Sequence, residues 1–553
     1  MKNINPEKNK EQNLFLLEKI ILFMIFFAIS EAFIIRPLRK KVERKQELAK
    51  SEFANRDAEN DDTVQFTESK EFVLENDCIK LTMNTNGLKL NNLVLKKYFD
   101  NEGNNIKLLD NNNYVKINWL SYSDNLVVPD KNSTWMLAEW NGESKNNKAI
   151  LTFDNGNSVI FKVVITLDDK YLIDIKQIVE NNSEEKIYIK PFWSLTKSNF
   201  LTKSDMTSFS GAIGLFNGGV SEIKMKKIRN DNLEIKNFEW AGITSKYWLT
   251  ALVNGDKDNG KINFYERNGT IAMQYTTKEN IIVSENSFVG FSNSLFVGVK
   301  DMQVLKGYSK ENNIRLLDRS IDFGFFYILA KPIDILLNFL NKIVKNFGVA
   351  IIILTLIVKT ILYPITKKSL VTVEVMKEVQ PKMKKIQDRY KNDRVKMQQE
   401  LVKIYKEYNL NPLASIMPIF IQIPVFISVY KVISVSLSMR QAPFLGFIKD
   451  LSIADPSNIF NLFGLLNYDT KFRLGFLACL MGLTMFIQQK FSEKLQKSSD
   501  SSEMASTNMN LMPIFFTLVF ASSPSGLLIY WICSNVITLL QQWYIVRFCL
   551  KKR

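Results

Sequence analysis

The sequence predicts a membrane α-helical protein: six transmembrane helices and a helical hairpin on the cytoplasmic side, joined to a large antiparallel β-sandwich outside the membrane. Three observations carry this prediction. Apolar runs and lysine-rich segments are segregated along the 553 residues instead of being interleaved. From Lys70 to Asp318 the texture is one of short runs that alternate with period two. Twelve lysines and arginines lie between Lys367 and Lys406, whereas the later segment Ser434–Lys471 holds three, which sets the orientation by the positive-inside rule.

Taken in order, the first apolar run, Ile20–Ser30 extended by Ala32–Ile35, is preceded by lysines and followed by Arg36-Pro-Leu-Arg39-Lys-Lys41 with no small-x-small cleavage pattern. It reads as a retained anchor helix over residues 1–36, and the polar residues 37–69 read as a linker. Within the β region, residues 70–318, strands are expected at Val159–Thr166, Tyr171–Ile178, Lys186–Lys190, Lys261–Tyr265 and Thr270–Tyr275, the last two joined at Asn268-Gly269. The Gly211–Gly219 stretch matches neither a GxGxxG fingerprint nor a phosphate-binding loop and reads as a loop.

The remaining residues, 319–553, read as a helical core. An interfacial helix is expected at 323–341, too polar for a clean span. Spans come next at 347–366, 412–431, 472–489, 511–523 and 526–547, with a hairpin at 370–409 and an outer loop at 434–471. Several are short for a full crossing, which calls for a locally thinned bilayer or a shared wet cavity. In the hairpin, Met376, Val379, Met383, Ile386 and Tyr390 recur at heptad-like spacing, as do Met397, Leu401, Ile404 and Tyr408. Lys391-Asn-Asp393 breaks the two runs. This topology leaves both termini on the cytoplasmic side.

Composition excludes much chemistry. With no histidine there is no Ser-His or Cys-His nucleophile pair and no HExxH zinc site. Cys78, Cys479, Cys533 and Cys549 form no CxxC, so neither a metal site nor a disulfide framework is expected. No catalytic residue and no cofactor are expected. The net charge of +16 fits cationic loops facing lipid, with no sequence-specific nucleic-acid contact required.

Lys359 is the sharpest residue. It sits inside the apolar run from Ala350 to Pro364, roughly 8–10 Å from the cytoplasmic end of its helix at 1.5 Å per residue. An ammonium there costs about 2.5–3.5 kcal/mol on insertion scales, so it must face water or a partner, or snorkel to the headgroups. No acidic residue lies mid-span to pair with it. Neutral groups such as Thr355, Gln422, Ser428, Asn535 and Thr538 are either helix-to-helix glue or the lining of a groove.

At these residues the chain resembles the YidC/Oxa/Alb family of membrane protein insertases, in the Gram-negative form with a large periplasmic domain. The matching stretches include Tyr363-Pro-Ile-Thr-Lys367, Gln380-Pro-Lys382, Asn411-Pro-Leu413, Arg440-Gln-Ala-Pro-Phe444, Asp450-Leu-Ser452 with Asp455-Pro456, Gly482-Leu-Thr-Met-Phe486 and Pro524-Ser-Gly-Leu527. The resemblance implies a non-enzymatic function: insertion, folding and assembly of inner-membrane proteins, lipoproteins included, with or without the Sec translocon. It places Lys359 where the family usually has arginine, in a hydrophilic groove open to cytoplasm and lipid, with Thr355, Gln422 and Trp531 at groove or substrate-contact positions. Gln380, Pro381 and Tyr405 fall in the family's cytoplasmic hairpin. The partners implied are nascent membrane proteins, SecYEG and SecDF, the ribosome and the phospholipid bilayer. The short Lys551-Lys-Arg553 tail predicts little tail-mediated ribosome binding. A solute transporter, whose mark would be inverted repeats, and a lipid scramblase sharing the groove are the competing readings from the residues alone.

Overall fold

The structure, a computed structural model, describes residues 70–550 apart from 124–125, 142–146, 199–207, 231–232, 256–258, 268, 409, 411–416, 460–473 and 497–511. The expected anchor helix, the linker, the start of the 472–489 span and the carboxyl tail lie outside the described residues. The chain divides into two compact units, a β unit over Asp62–Asp322 and a helical unit that takes in Phe323–Ser434 and Ser438–Arg553.

In the β unit, antiparallel strands form sheets of nine, seven and four strands among the described residues. The alternation that predicts them has a direct physical outcome. Along Val159–Leu167 buried and partly exposed residues alternate without a break, because successive side chains point to opposite faces. Leu172–Asn181 lies between that strand and Ser287–Val299, with Ile175 opposite Ile165 and Asn293. The two larger sheets pack face to face. Trp119 of the seven-stranded sheet meets Phe161 of the nine-stranded one edge-on at 5.1 Å between ring centroids. Gln177 crosses the same interface, donating to the Asn118 carbonyl at 2.9 Å and accepting from the Trp193 indole N–H. A buried amide satisfied in this way fixes the register of one sheet on the other.

Residues Gly211–Gly219, expected as a loop, instead form a hairpin. Gly211–Phe216 pairs with Gly219–Ile223, turning at Asn217 (φ 50°) and Gly218 (φ 82°). Two consecutive positive φ values are what a two-residue hairpin turn requires, and Asn-Gly supplies them. The glycines that weaken the run as a strand pattern are those that let it pair.

Helix α1 (Met225–Asn230) comes after this hairpin, and α2 (Met302–Glu311) after the last strand. Asp301 caps α2, its carboxylate accepting from the Gln303 and Val304 N–H groups.

The helical unit begins with α3 (Tyr327–Val344) and α4 (Phe347–Arg389). Lys345 at φ 55° ends the first in the left-handed region, and the Asn346 side chain at once caps the second through the Val349 N–H at 3.1 Å. Then come α5 (Arg394–Glu407), α6 (Met417–Val435), α7 (Phe476–Gln496), α8 (Met512–Phe520) and α9 (Ser525–Tyr544), which runs into a π turn over Ile545–Leu550.

Two boundaries differ from expectation. The 347–366 span and the first arm of the 370–409 hairpin are one continuous helix, α4, despite Pro364 and Pro381 inside it. The interfacial helix starts and ends a few residues later than 323–341. Among the described residues α4 alone is both long and apolar enough to cross a bilayer by itself; α6 contributes the shorter apolar stretch Phe420–Val435. On the far half of α4, Val379 buries against Ile404 of α5 and Leu410, with Val375, Met383, Ile386, Tyr405 and Tyr408 packed around them. The break between α4 and α5 falls at Lys391-Asn-Asp393, where Asp393 caps α5 through the Lys396 N–H at 3.0 Å.

Candidate functional site

The site is built on α4, α6 and α9. α9 packs along both α4 and α7, whereas α6 meets it mainly through long side chains. Close approach of α4 and α9 rests on small residues: a β-carbon on Gly526 would lie 3.2 Å from the Ile351 side chain. Thr355, one turn beyond Ile351, is fully buried and donates to the Ile351 carbonyl at 2.7 Å.

One further turn along this face lies Lys359. Its Nζ donates to Gln422 Oε1 at 3.1 Å, and the Gln422 amide donates to the Tyr530 hydroxyl at 3.1 Å. This gives a polar chain of three side chains from three helices, set among apolar residues. The Gln541 amide donates to the Lys359 main-chain carbonyl at 3.0 Å. The described partner of the ammonium is thus a neutral amide, and no described carboxylate forms an ion pair with it. A cation held this way keeps its charge uncompensated and remains able to bind an anion.

Phe426, one turn from Gln422 on α6, carries the next level. Its ring lies 4.7 Å from that of Trp531, which is also 4.7 Å from Phe520 and 5.7 Å from Phe516 of α8. Three helices therefore converge on a half-exposed aromatic cluster beside the polar chain. The expected site residues Lys359 and Gln422 come into contact, while Thr355 sits buried beneath them and Trp531 belongs to the aromatic level. Gln380, Pro381 and Tyr405 lie on the α4–α5 pair, apart from this chain; Tyr405 packs against its core. Of the other neutral groups, two bond within their own helix and one ties two helices together. Ser428 and Thr538 bond back to the carbonyls of Pro424 and Ser534, and Asn535 ties α9 to Thr484 of α7 at 3.2 Å.

Sequence reasoning missed Tyr530 and Gln541. They stand eleven residues apart on α9, close to three turns, and so share a face with each other, whereas Trp531 lies about 100° away. That spacing was the available signal.

At one end of the unit the chain is laced shut. The Ser525 and Gly526 N–H groups donate to the carbonyls of Ile453 (2.7 Å) and Leu451 (3.0 Å). Asp455 accepts from the Leu477 N–H at 2.8 Å in the first turn of α7, and the Asn346 amide donates to the Phe444 carbonyl at 3.2 Å. The Phe444, Asp450-Leu-Ser and Pro524-Ser-Gly motifs all meet in this lacing.

Comparison with known proteins agrees over nearly the whole chain. Residues 71–336 match the model of the YidC periplasmic domain, and residues 339–552 match that of the 60Kd inner membrane protein. The membrane protein insertase YidC of Rickettsia bellii is 31% identical over 93% of this chain and 95% of its own length. That of Rickettsia felis is 32% identical over 96% and 99%. A solved structure of an active YidC insertase with its first transmembrane domain resolved is 15% identical, covering 86% of this chain and 93% of its own with a TM-score of 0.35. The chain belongs to the YidC family of membrane protein insertases.

Proposed function

We propose that this protein inserts nascent membrane proteins into the inner membrane and helps them fold and assemble, without covalent catalysis. The family names this activity for its members; what carries it to this chain's own residues is Lys359, held by a neutral amide between apolar helices. A positively charged, wet notch shortens the hydrophobic path and attracts the acidic translocated segment of a substrate. Burial of the substrate's apolar span in lipid, at about 25 cal/mol per Å², then drives release. The half-exposed aromatic cluster at Trp531 suits the passage of apolar side chains, and the laced end suits a groove closed on its outer side.

In the same reading the β unit is periplasmic, both termini are cytoplasmic, six helices cross the bilayer, and the α4–α5 pair is the cytoplasmic hairpin that carries Gln380, Pro381 and Tyr405. α3 fits the outer interface. Ile328, Ile335, Phe339 and Ile343 form an exposed apolar stripe opposite the buried Ala330, Leu337 and Leu340. SecYEG, SecDF and the ribosome are proposed partners, and lipoproteins belong to the proposed substrates. Insertion into proteoliposomes tests the electrostatic core of the reading. Lys359→Glu abolishes insertion of a substrate with an acidic translocated segment, and Lys359→Arg retains it; normal insertion by the glutamate variant would sink the account.

A further inference from the structure

Pro364 weakens α4 close to its functional lysine. It lacks the N–H that would serve the Thr360 carbonyl, so the helix is loosened at the residue next to Lys359. A lysine on a loosened turn can rotate and snorkel to the inner headgroups, where its charge is lost to the groove. Two side chains on one face of α9 oppose this. Tyr530 holds Gln422, which holds the ammonium, and Gln541 donates directly to the Lys359 carbonyl at 3.0 Å. A single helix thereby grips both the side chain and the main chain of the same residue.

We propose that Gln541 is a positioning residue for the insertion reaction: its amide fixes the height and rotation of Lys359 on the proline-loosened turn, so that the ammonium points along Gln422 into the groove. The inference rests on the insertase reading above and adds to it a residue that touches no substrate. Its neighbour Gln542 supplies an internal control. Gln542 has the same chemistry on the same helix but exchanges hydrogen bonds with Ser492 of α7 at 3.2 Å.

The test uses the full chain in proteoliposomes and two single-span substrates. One carries an acidic translocated segment, and the other has Asn and Gln in place of its carboxylates. Gln541→Met lowers insertion of the acidic substrate about fivefold, the size one hydrogen bond of ordinary net strength allows, and leaves the neutral one unchanged. Gln542→Met does not discriminate between the two. The pair Lys359→Gln with Gln541→Met loses no more than Lys359→Gln alone, because the amide acts only through the lysine. Equal loss on both substrates, the same selectivity from Gln542→Met, or no effect of Gln541→Met where Lys359→Gln is selective, each overturns the positioning role and leaves the insertase reading standing. If Lys359→Gln itself shows no preference for substrate charge, the positioning role falls together with the electrostatic account of Lys359. Should Gln541→Met fail to accumulate, Gln541→Asn keeps the amide but shortens its reach, and the same outcomes decide.

Discussion

Lys359 and Asp168 show two ways of burying a charge in one chain. Lys359 is answered by a neutral amide and by no described carboxylate. Asp168 of the β unit, half-buried, is answered by three donors: it accepts from the Tyr308 hydroxyl at 2.6 Å and from the Lys170 and Leu172 N–H groups at 2.9 and 2.8 Å. The Tyr308 oxygen in turn accepts from the Tyr171 N–H at 2.7 Å, which fastens α2 to the sheet. Burial outweighs these donors and raises the Asp168 carboxyl above its ordinary range. The folded chain therefore holds that proton more tightly than the unfolded one. The contribution to stability is full below the ordinary carboxylate pKa and is lost as pH rises through the raised value. Asp168→Asn, which cannot ionise, gains thermal stability over the parent between about pH 4 and pH 7; melting curves at the two values, with the gap unchanged, would count against this. Tyr308→Phe costs about 1–3 kcal/mol by leaving the half-buried carboxylate short of a donor, measurable by denaturant unfolding. Lys359 was legible from sequence, because one cation in an apolar run is conspicuous. The Asp168–Tyr308 pair was not, since 140 residues separate its members.

At the scale of elements, helix contacts depend on where a side chain is missing. A β-carbon on Gly482 of α7 would lie 2.1 Å from Thr517 Oγ1 of α8, whose hydroxyl already donates to the Pro513 carbonyl at 2.7 Å. Gly482→Val must push the two helices apart and costs about 1–3 kcal/mol; a melting temperature equal to the parent's would refute the close packing. Asp455 acts across sequence, capping α7 from a residue 22 positions away. Asp455→Ala costs about 1 kcal/mol or more, and amide exchange in the first turn of α7 speeds up ahead of the rest of the helix if the cap is what holds it. Periodicity revealed the strands and helices themselves. It placed a junction after the second span where one helix, α4, continues through both Pro364 and Pro381. It also misread Gly211–Gly219, since glycine counts against a strand until the partner strand and its Asn-Gly turn are in view.

For the whole molecule, the proposed topology makes a clean prediction. A cysteine at Lys391, between α4 and α5, reacts with a membrane-impermeant maleimide only after the inner membrane is opened, while one at Asn157 in the β unit reacts in spheroplasts beforehand. The reverse order would invert the orientation and with it the groove. By itself the sequence determined the division into a β region and a helical region and the one lysine that must be explained. These depend on composition and period, which are local quantities. Only the tertiary structure decided what answers that lysine. Gln422, Tyr530 and Gln541 are separated from it by 63, 171 and 182 positions, and whether a neutral polar side chain is glue or groove depends on which helix it faces. That is fixed by packing, to which no single stretch of sequence has access.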